Sequence, residues 1–332
     1  MSATRLTLSM GIGHYDHVAD LLSGAVQCEG LDLRHLELPV EEVFHRFIKY
    51  REWDVSEISM AKFSALVSQG DDSLVGIPVF PSRMFRHSSM YVRADSGITD
   101  PAQLAGKRIG VPEWAQTAAV YSRGVLTHEY GVPLSDVRWV QAGVDQPGRK
   151  EKVRLHLPEG VTCTPDPQHS LSELLLAGQL DAVFSAHPPS CFLQRPDEVV
   201  RLFADPPGVE RKSWGVTGVF PIMHAVVIRR DVVDAHPWVP VTLFNGFQRA
   251  KRRSIERLTD MTVSRFPVPW IQSYVEQSWS RFPEGDPWPY GVEANRVTLE
   301  TFLRFGHEQG VLARPVDPDE MFSPKIKDAF RI

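Results

Sequence analysis

Two arginines that lie close together in the sequence could bind a carboxylate. Arg83 and Arg86 follow an apolar segment, residues 74–79, whose pattern predicts a buried strand. A guanidinium group presents its N–H groups as a planar fork that matches the two oxygens of a carboxylate. Arginine is common throughout the chain, so only the position after a strand favours a binding role. The alternative is surface charge or an ion pair between lobes.

Two histidines are the main acid–base candidates, because histidine titrates near neutral pH. His87 adjoins Arg86 and precedes Ser88, and His224 opens an apolar segment that reads as a strand. Each histidine could instead be buried for structural reasons. Glu57 lies inside a short apolar strand, where a carboxylate must be paired or have a raised pKa. We expect Glu57 to act on a proton or a hydroxyl, or else to form a structural ion pair.

Four more residues are expected to lie near a ligand. Glu113 and Thr117 flank the predicted start of a helix, where free N–H groups favour an anion. Thr117 could equally be a packing or capping residue. Tyr15 comes after the first predicted strand, and His187 follows a predicted strand in the second half of the chain.

The sequence predicts neither a metal nor a nucleotide cofactor. His14 and His17 are three residues apart, but no HExxH motif or paired Cys/His spacing accompanies them. No GxGxxG motif or P-loop stands after a predicted strand. We therefore expect a reaction that needs no cofactor.

The elements that would position these residues alternate between strand and helix. Period-two and helical patterns follow one another from residue 6 to residue 79, which is typical of βαβ units and a mostly parallel sheet. A second α/β unit begins near residue 96. We predict two lobes, one formed by residues 1–95 together with 213–332 and the other by residues 96–212.

Two such lobes would face each other across a central cleft. In open α/β sheets, ligands bind beyond the carboxyl ends of the strands. We therefore expect five short segments to meet at this cleft. They are the residues that directly follow Met10, Glu57, Val79, Val111 and Phe184.

Composition limits the class of protein further. The chain has 332 residues, of which 42% are hydrophobic and 23% charged, and its net charge is −5. This balance does not indicate a nucleic-acid partner, and no apolar run is long enough to span a membrane. The dense basic run at residues 249–257 reads as the solvated face of an amphipathic helix. Three widely spaced cysteines without a CxxC pair favour the reducing cytoplasm.

Aromatic residues on the predicted C-terminal helices bear on assembly. Trp270, Tyr274 and Trp279 lie in one helical segment. Self-association into a homo-oligomer would bury them, and packing on the first lobe is the alternative.

Several stretches of the sequence resemble a known family. Residues 104–112 (LAGKRIGVP) and 176–182 (LAGQLDA) resemble pieces of the second lobe of type II periplasmic binding proteins. Residues 77–89 (IPVFPSRMFRHSS), 220–230 (FPIMHAVVIRR) and 287–296 (PWPYGVEANR) closely resemble 4,5-dihydroxyphthalate decarboxylases. The match follows the same order over nearly the whole chain.

This resemblance implies a two-lobed α/β fold and a non-oxidative decarboxylation that needs no cofactor. The substrate would be a small aromatic dicarboxylate with two adjacent hydroxyls, and the products CO2 and a dihydroxybenzoate. Such a site needs a clamp for the diacid, a base for a phenol and an acid near the ring carbon. We assign the clamp to Arg83 and Arg86, the proton donor to His87 or His224, and the phenol base to Glu57. The remaining contacts would come from Ser88, Tyr15, Thr117, Glu113 and His187.

Two other functions are compatible with the sequence. A cytoplasmic solute-binding protein for an aromatic acid would use the same fold without catalysis. A related decarboxylase could act on a hydroxybenzoate with a different substitution pattern. Incubation with 4,5-dihydroxyphthalate separates a binding protein from an enzyme, because only an enzyme releases CO2.

Overall fold

Two mixed β-sheets organise the chain in the computed structural model, which describes residues 5–282, 286–324 and 326. The first sheet has the order β2-β1-β3-β11-β4 and the second has the order β10-β5-β9-β6-β7-β8. This confirms the predicted α/β fold with mixed, mostly parallel sheets. The strands are β1 Leu6–Gly11, β2 Leu31–Leu36, β3 Val55–Ser59, β4 Leu74–Ile77, β5 Met90–Arg93, β6 Arg108–Val111, β7 Arg138–Gln141, β8 Cys163–Pro165, β9 Ala182–Phe184, β10 Val199–Arg201 and β11 His224–Arg229.

Helices connect these strands and cover the sheets. They are α1 Asp16–Leu22, α2 Val40–Tyr50, α3 Met60–Ser68, α4 Thr117–His128, α5 Leu171–Leu176, α6 Ser190–Gln194, α7 Pro206–Thr217, α8 Arg230–Ala235, α9 Val239–Thr259, α10 Ile271–Trp279, α11 Arg296–Glu308 and α12 Pro318–Met321. Within the described residues, none of these helices combines the length and apolarity needed to cross a bilayer.

The first sheet brings distant parts of the chain together. Strands β1, β2 and β3 run parallel, whereas β11 runs antiparallel between β3 and β4. His224 therefore pairs with Ser59, the last residue of β3, and Val226 pairs with Glu57. Since alternate residues of a strand share a face, Glu57, Ser59 and His224 lie on the same side of the sheet.

The chain enters the second sheet earlier than the predicted lobe boundary at residue 95. Strand β5, Met90–Arg93, pairs antiparallel with both β9 and β10 and is part of the second sheet. The other predicted boundary, between residues 212 and 213, falls inside α7, and the chain returns to the first sheet at β11. The lobes are therefore joined through the segments that precede β5 and β11.

The basic run at residues 249–257 lies on α9, which packs against α1. Arg253 and Arg257 form ion pairs with Asp20 of α1, and buried Lys251 pairs with Asp286. Several basic residues of the run at residues 249–257 are therefore paired with carboxylates of the same chain.

Candidate active site

A cleft of about 580 Å³ lies between the two lobes. Residues that follow the strands line much of it, as the topology predicts: Tyr15, Ser59, Ser82, Glu113, Gln116 and His187. Apolar residues of α2, Val40, Phe44 and Ile48, form another part of its lining. The cleft is thus largely apolar, with a few polar groups at the ends of strands.

His224 and Glu57 form a tight pair beside this cleft. The Nδ1 atom of His224 donates to Oε1 of Glu57 at 2.6 Å, and the Tyr15 hydroxyl donates to the same oxygen at 2.6 Å. Glu57 is fully buried. Because Nδ1 is engaged, Nε2 is the ring nitrogen that His224 can offer to a ligand. Phe44 of α2 contacts the imidazole edge-on, with 4.8 Å between ring centroids.

The second oxygen of Glu57 is also satisfied. The backbone N–H of Gly13 donates to Oε2 at 2.8 Å. A Cβ at Gly13 would lie 2.9 Å from the Tyr15 ring, so glycine permits this close approach. Burial and the neighbouring Glu57 raise the pKa of Tyr15 well above its usual value, which keeps the hydroxyl protonated as a donor. The network fixes the ring of His224 in one orientation.

Arg86 lines the cleft, and the carboxylate charge that acts on it, Glu210 of α7, does so without forming an ion pair. It is 8% exposed, and its Nε and Nη1 atoms donate to the sulfurs of Met223 at 3.1 Å and Met84 at 3.5 Å. Burial lowers the pKa of Arg86 to about 10, so the group remains charged at neutral pH. In the part of the chain that the structure describes, no carboxylate forms an ion pair with it. A buried cation of this kind is stabilised by an anionic ligand.

Arg83 lies elsewhere, in the interior of the first lobe. Its guanidinium donates to the carbonyl oxygens of Phe220 at 3.3 Å and Pro289 at 2.8 Å, and to the side chain of Asn295. Burial lowers the pKa of Arg83 to about 10. Arg83 does not belong to the lining of the cleft; its two terminal nitrogens donate to protein acceptors, and its Nε has no hydrogen-bond partner among the described residues.

The contacts of Arg83 connect three separate stretches of the sequence. Arg83, Phe220 and Asn295 belong to the three stretches that carry the family resemblance, residues 77–89, 220–230 and 287–296. Arg83 thus joins these stretches and supports the segment that leads into His224.

His87 and Ser88 are also placed away from the cleft. His87 is buried against Phe203, with 5.3 Å between ring centroids, and neither ring nitrogen has a hydrogen-bond partner among the described residues. The backbone N–H of Ser88 donates to Glu210 of α7, and its carbonyl accepts from Arg201. The predicted clamp and acid–base residues are therefore only partly brought together, as Arg86, His224, Glu57 and Tyr15.

Glu113 stands at the cleft within an ion network. Its carboxylate lies 3.0 Å from Lys62, 2.8 Å from Arg149 and 3.2 Å from Lys152. Burial alone would raise the pKa of Glu113, but the three cations outweigh it and lower the pKa. Lys62 also pairs with Glu151 at 2.9 Å. Since Lys62 belongs to α3 of the first lobe, these pairs connect the lobes.

Two more contacts cross between the lobes. The Thr117 hydroxyl bonds the Ser59 hydroxyl at 2.9 Å and accepts from the backbone N–H of Ala61. His187 lies 3.4 Å from Glu41 of α2. The side chains of Glu113, Thr117 and His187 therefore all hold the lobes together in this structure.

Sequence reasoning overlooked several residues of the cleft. Lys62, Met84 and Met223 carried no signal, because neither a lone lysine nor a methionine has a spacing that marks a site. Gln116 carried no signal either, because it lies inside the predicted helix of residues 115–130. In the structure α4 begins at Thr117, so Gln116 takes the N-cap position, which usually holds Ser, Thr, Asp or Asn. Among the described residues, no group of three or more His, Cys, Asp or Glu side chains could hold a metal ion.

Known proteins similar to this chain are decarboxylases. A 4,5-dihydroxyphthalate decarboxylase of Comamonas testosteroni is 38% identical over 330 residues, which covers 99% of this chain and 100% of that protein. A 4,5-dihydroxyphthalate decarboxylase of Pseudomonas putida is 41% identical over 205 residues, 61% of this chain and 80% of that protein. No protein-family model matches the chain.

Solved structures similar to this chain include binding proteins. A periplasmic sulfonate-binding protein of Methylobacillus flagellatus has a TM-score of 0.55 at 12% identity, and the superposition covers 97% of this chain and 92% of that protein. A periplasmic aliphatic sulphonate binding protein of Escherichia coli has a TM-score of 0.53 at 14% identity, with 98% and 95% covered. At these identities the likeness shows the fold alone, and it confirms the periplasmic-binding-protein-like architecture.

Proposed function

Because this chain belongs to the 4,5-dihydroxyphthalate decarboxylase family, we propose that its cleft converts 4,5-dihydroxyphthalate into CO2 and protocatechuate, a dihydroxybenzoate, in phthalate degradation. The reaction replaces one carboxylate on the ring by a proton. It involves no net oxidation, so it requires no redox cofactor.

The substrate itself supplies the electrons for this exchange. Each carboxylate stands para to a hydroxyl, whose electron pair raises the density at the carboxyl-bearing carbon. Protonation of that carbon gives a quinonoid ring. The bond to the carboxylate then breaks, its electron pair restores the aromatic ring, and neutral CO2 leaves. The dry, apolar part of the cleft favours this loss of charge.

We assign the proton transfer to His224. His224 lines the cleft and Glu57 holds its Nδ1, which leaves Nε2 to carry the proton, the arrangement expected of an oriented general acid. Glu57 acts here as the partner that orients His224. Its two oxygens already accept three hydrogen bonds, which makes it a poor base for the phenol.

We assign the binding of the retained carboxylate to Arg86. The guanidinium has only thioether partners among the described residues, so a carboxylate would complete its contacts. The start of α4 can receive the other carboxylate, because the backbone N–H groups of Thr117, Ala118 and Ala119 have no acceptor within the described chain. The observation that carries the proposal is that Arg86 shares the cleft with His224 and has no carboxylate in contact with it among the described residues.

Purified protein incubated with 4,5-dihydroxyphthalate tests this function directly. We expect release of one CO2 per substrate and formation of a dihydroxybenzoate, followed by ultraviolet absorbance and chromatography. Thermal stabilisation by the compound without CO2 would identify a binding protein instead. If the protein turned over another hydroxylated phthalate or benzoate faster than 4,5-dihydroxyphthalate, it would be a related decarboxylase with a different substrate.

We also propose that the enzyme works in the cytoplasm and self-associates. Cys28, Cys163 and Cys191 are free thiols, which supports a reducing compartment. Trp270 and Tyr274 of the α10 region are 77% and 63% exposed, which supports their burial in a second copy. Cell fractionation and sedimentation velocity test the two statements, and a periplasmic fraction or a monomer would contradict them.

A further inference from the structure

Gln116 occupies the residue before α4 without serving the helix. Residues at this N-cap position usually accept a hydrogen bond from the first turn, but the Gln116 side chain makes no such bond. The next side chain, Thr117, also turns away from the helix, toward Ser59 in the first lobe. A residue that breaks the local rule for helix starts is often retained for function.

The side chain of Gln116 lines the cleft, and its amide oxygen is an unused acceptor just beneath the cleft surface. This Oε1 atom is shielded from water and has no hydrogen-bond partner among the described residues. Buried polar atoms nearly always have a partner, so a buried orphan calls for an explanation. A turn of the terminal amide would bring Oε1 to the cleft, where a ligand that carries a hydrogen-bond donor would supply the partner.

The carboxylate groups of the lining are already engaged. The carboxylates of Glu41 and Glu113 contact His187, Lys62, Arg149 and Lys152. Each of these two groups therefore has at least one partner, whereas the amide oxygen of Gln116 has none among the described residues.

The chemistry of the substrate decides which of its groups meets this oxygen. Ionised carboxylates only accept hydrogen bonds, and they match Arg86 and the N–H groups of α4. The ring hydroxyls are the donors of the substrate. We propose that Gln116 is a specificity-determining residue that accepts a hydrogen bond from a ring hydroxyl of the substrate, an inference that rests on the proposed function.

This contact would serve both recognition and rate. A phthalate without hydroxyls would leave Oε1 unpaired, which disfavours it relative to the dihydroxylated compound. A hydrogen bond from the hydroxyl to Gln116 also pushes electron density from that oxygen into the ring. The ring carbon para to it then accepts a proton more readily.

The substitution Gln116→Met tests the inference, because methionine keeps the length of the side chain and removes the acceptor amide. We expect kcat/KM for 4,5-dihydroxyphthalate to fall about tenfold, the effect of one hydrogen bond with a partly buried partner. The inhibition constant of phthalate, which has both carboxylates and no hydroxyl, should change less than about twofold. Gln179→Met, at an exposed glutamine after α5, is the matched control and should match the wild type.

Two results would overturn this role of Gln116. An unchanged kcat/KM would show that no hydroxyl meets the amide, and an equal weakening of phthalate would place Gln116 against the carboxylates. If the wild type released no CO2, the proposed function would fail separately. Calorimetry would then compare the two compounds as ligands, and a preference for hydroxyls lost in Gln116→Met would still support the inference.

Discussion

The two walls of the cleft use polar residues in opposite ways. One, the catalytic wall, consists of Tyr15, Glu57, Arg86 and His224. Its hydrogen bonds stay close to the first sheet and leave His224 Nε2 and the Arg86 guanidinium without a carboxylate or amide partner in the described chain.

The other, the closing wall, consists of Glu113, Arg149, Lys152 and His187. Its charged groups pair with one another and reach across to Lys62 and Glu41 of the first lobe.

This difference shows how the fold separates chemistry from closure. Glu57 is fully buried, whereas three of the four side chains of the closing wall, those of Arg149, Lys152 and His187, are 25%, 40% and 66% exposed, and Glu113 is its buried member. Reactive groups need one fixed geometry, which burial and several hydrogen bonds provide. Contacts that must break to admit a substrate are better placed near water, where each is weak. Substitutions on the two walls should therefore change different kinetic quantities.

The largest effect is expected from His224→Asn on the catalytic wall. Loss of the proton donor should lower kcat about a thousandfold, within the usual range for a general acid or base. The dissociation constant of phthalate should stay nearly the same, because Arg86 and the start of α4 are retained. Steady-state kinetics and calorimetry measure the two quantities.

The exposed His307 of α11 offers a matched control for this substitution. His307→Asn should leave kcat unchanged. A His224→Asn variant within about tenfold of the wild type would contradict the role of His224 as the proton donor.

Arg86→Met should lower kcat/KM about a hundredfold, because a charge-assisted pair with the substrate is lost. Thermal stability should not fall, since the substitution removes a buried charge that no carboxylate of the described residues contacts. Initial rates over a range of substrate concentrations, together with a melting curve, check both statements.

The same substitution at Arg83, three residues before Arg86, should affect stability and not substrate binding. It should destabilise the fold by about 3 kcal/mol, because the carbonyl oxygen of Phe220 and the buried side-chain oxygen of Asn295 lose their donor. If Arg83→Met kept its stability and lost substrate binding, the roles assigned to the two arginines would be reversed.

On the closing wall, Lys62→Met should raise KM about fivefold, which corresponds to about 1 kcal/mol of lost closure. The kcat should change less than KM, because His224 and Glu57 are untouched. Lys212→Met, at an exposed lysine of α7, is the control. A thousandfold loss of kcat in Lys62→Met would show that the walls are not separate.

The smallest effect is a pH dependence of KM from His187 and Glu41. The bond to Glu41 raises the pKa of His187 above its ordinary 6.5, and the same bond lowers the pKa of Glu41 to about 2. The contribution of this pair to closure is therefore complete between pH 4.5 and pH 6.5. It is lost as the pH rises through the raised pKa of His187, and it is also lost as the pH falls toward the lowered pKa of Glu41, about 2. We expect KM to increase about twofold on the alkaline side.

The variant His187→Gln separates the contribution of this pair from the pH dependence of the chemical step. Its KM should lack the alkaline increase, while the dependence of kcat on pH should remain. An identical KM profile in the two proteins would remove His187 from closure.

The sequence predicted which segments form the site better than it predicted which side chains take part. The position of residues after strands correctly indicated which segments meet at the cleft, because parallel strands end at one edge of a sheet. His224 and Glu57 could be proposed from residue type and strand position. Their pairing could not, since it depends on β11 lying antiparallel beside β3.

Arg83 and Arg86 show why the remaining residues were harder to predict. Both are buried, and both follow the same strand. Only the structure reveals that carbonyl oxygens from residues 220 and 289 surround one, while two methionine sulfurs contact the other. Partners that come from distant parts of the chain leave no local pattern in the sequence.

Met223, whose sulfur contacts Arg86, directly precedes the proton donor His224 in the chain. The backbone of Met223 is fixed on both sides, since its N–H donates to Ser82 at 2.8 Å and its carbonyl accepts from Met60 at 2.9 Å. Any movement of this dipeptide would carry the proton donor together with the sulfur atom that Arg86 contacts. The spacing between them should therefore survive opening of the lobes. Relatives that acquire new substrates should then differ mainly on the opposite side of the cleft.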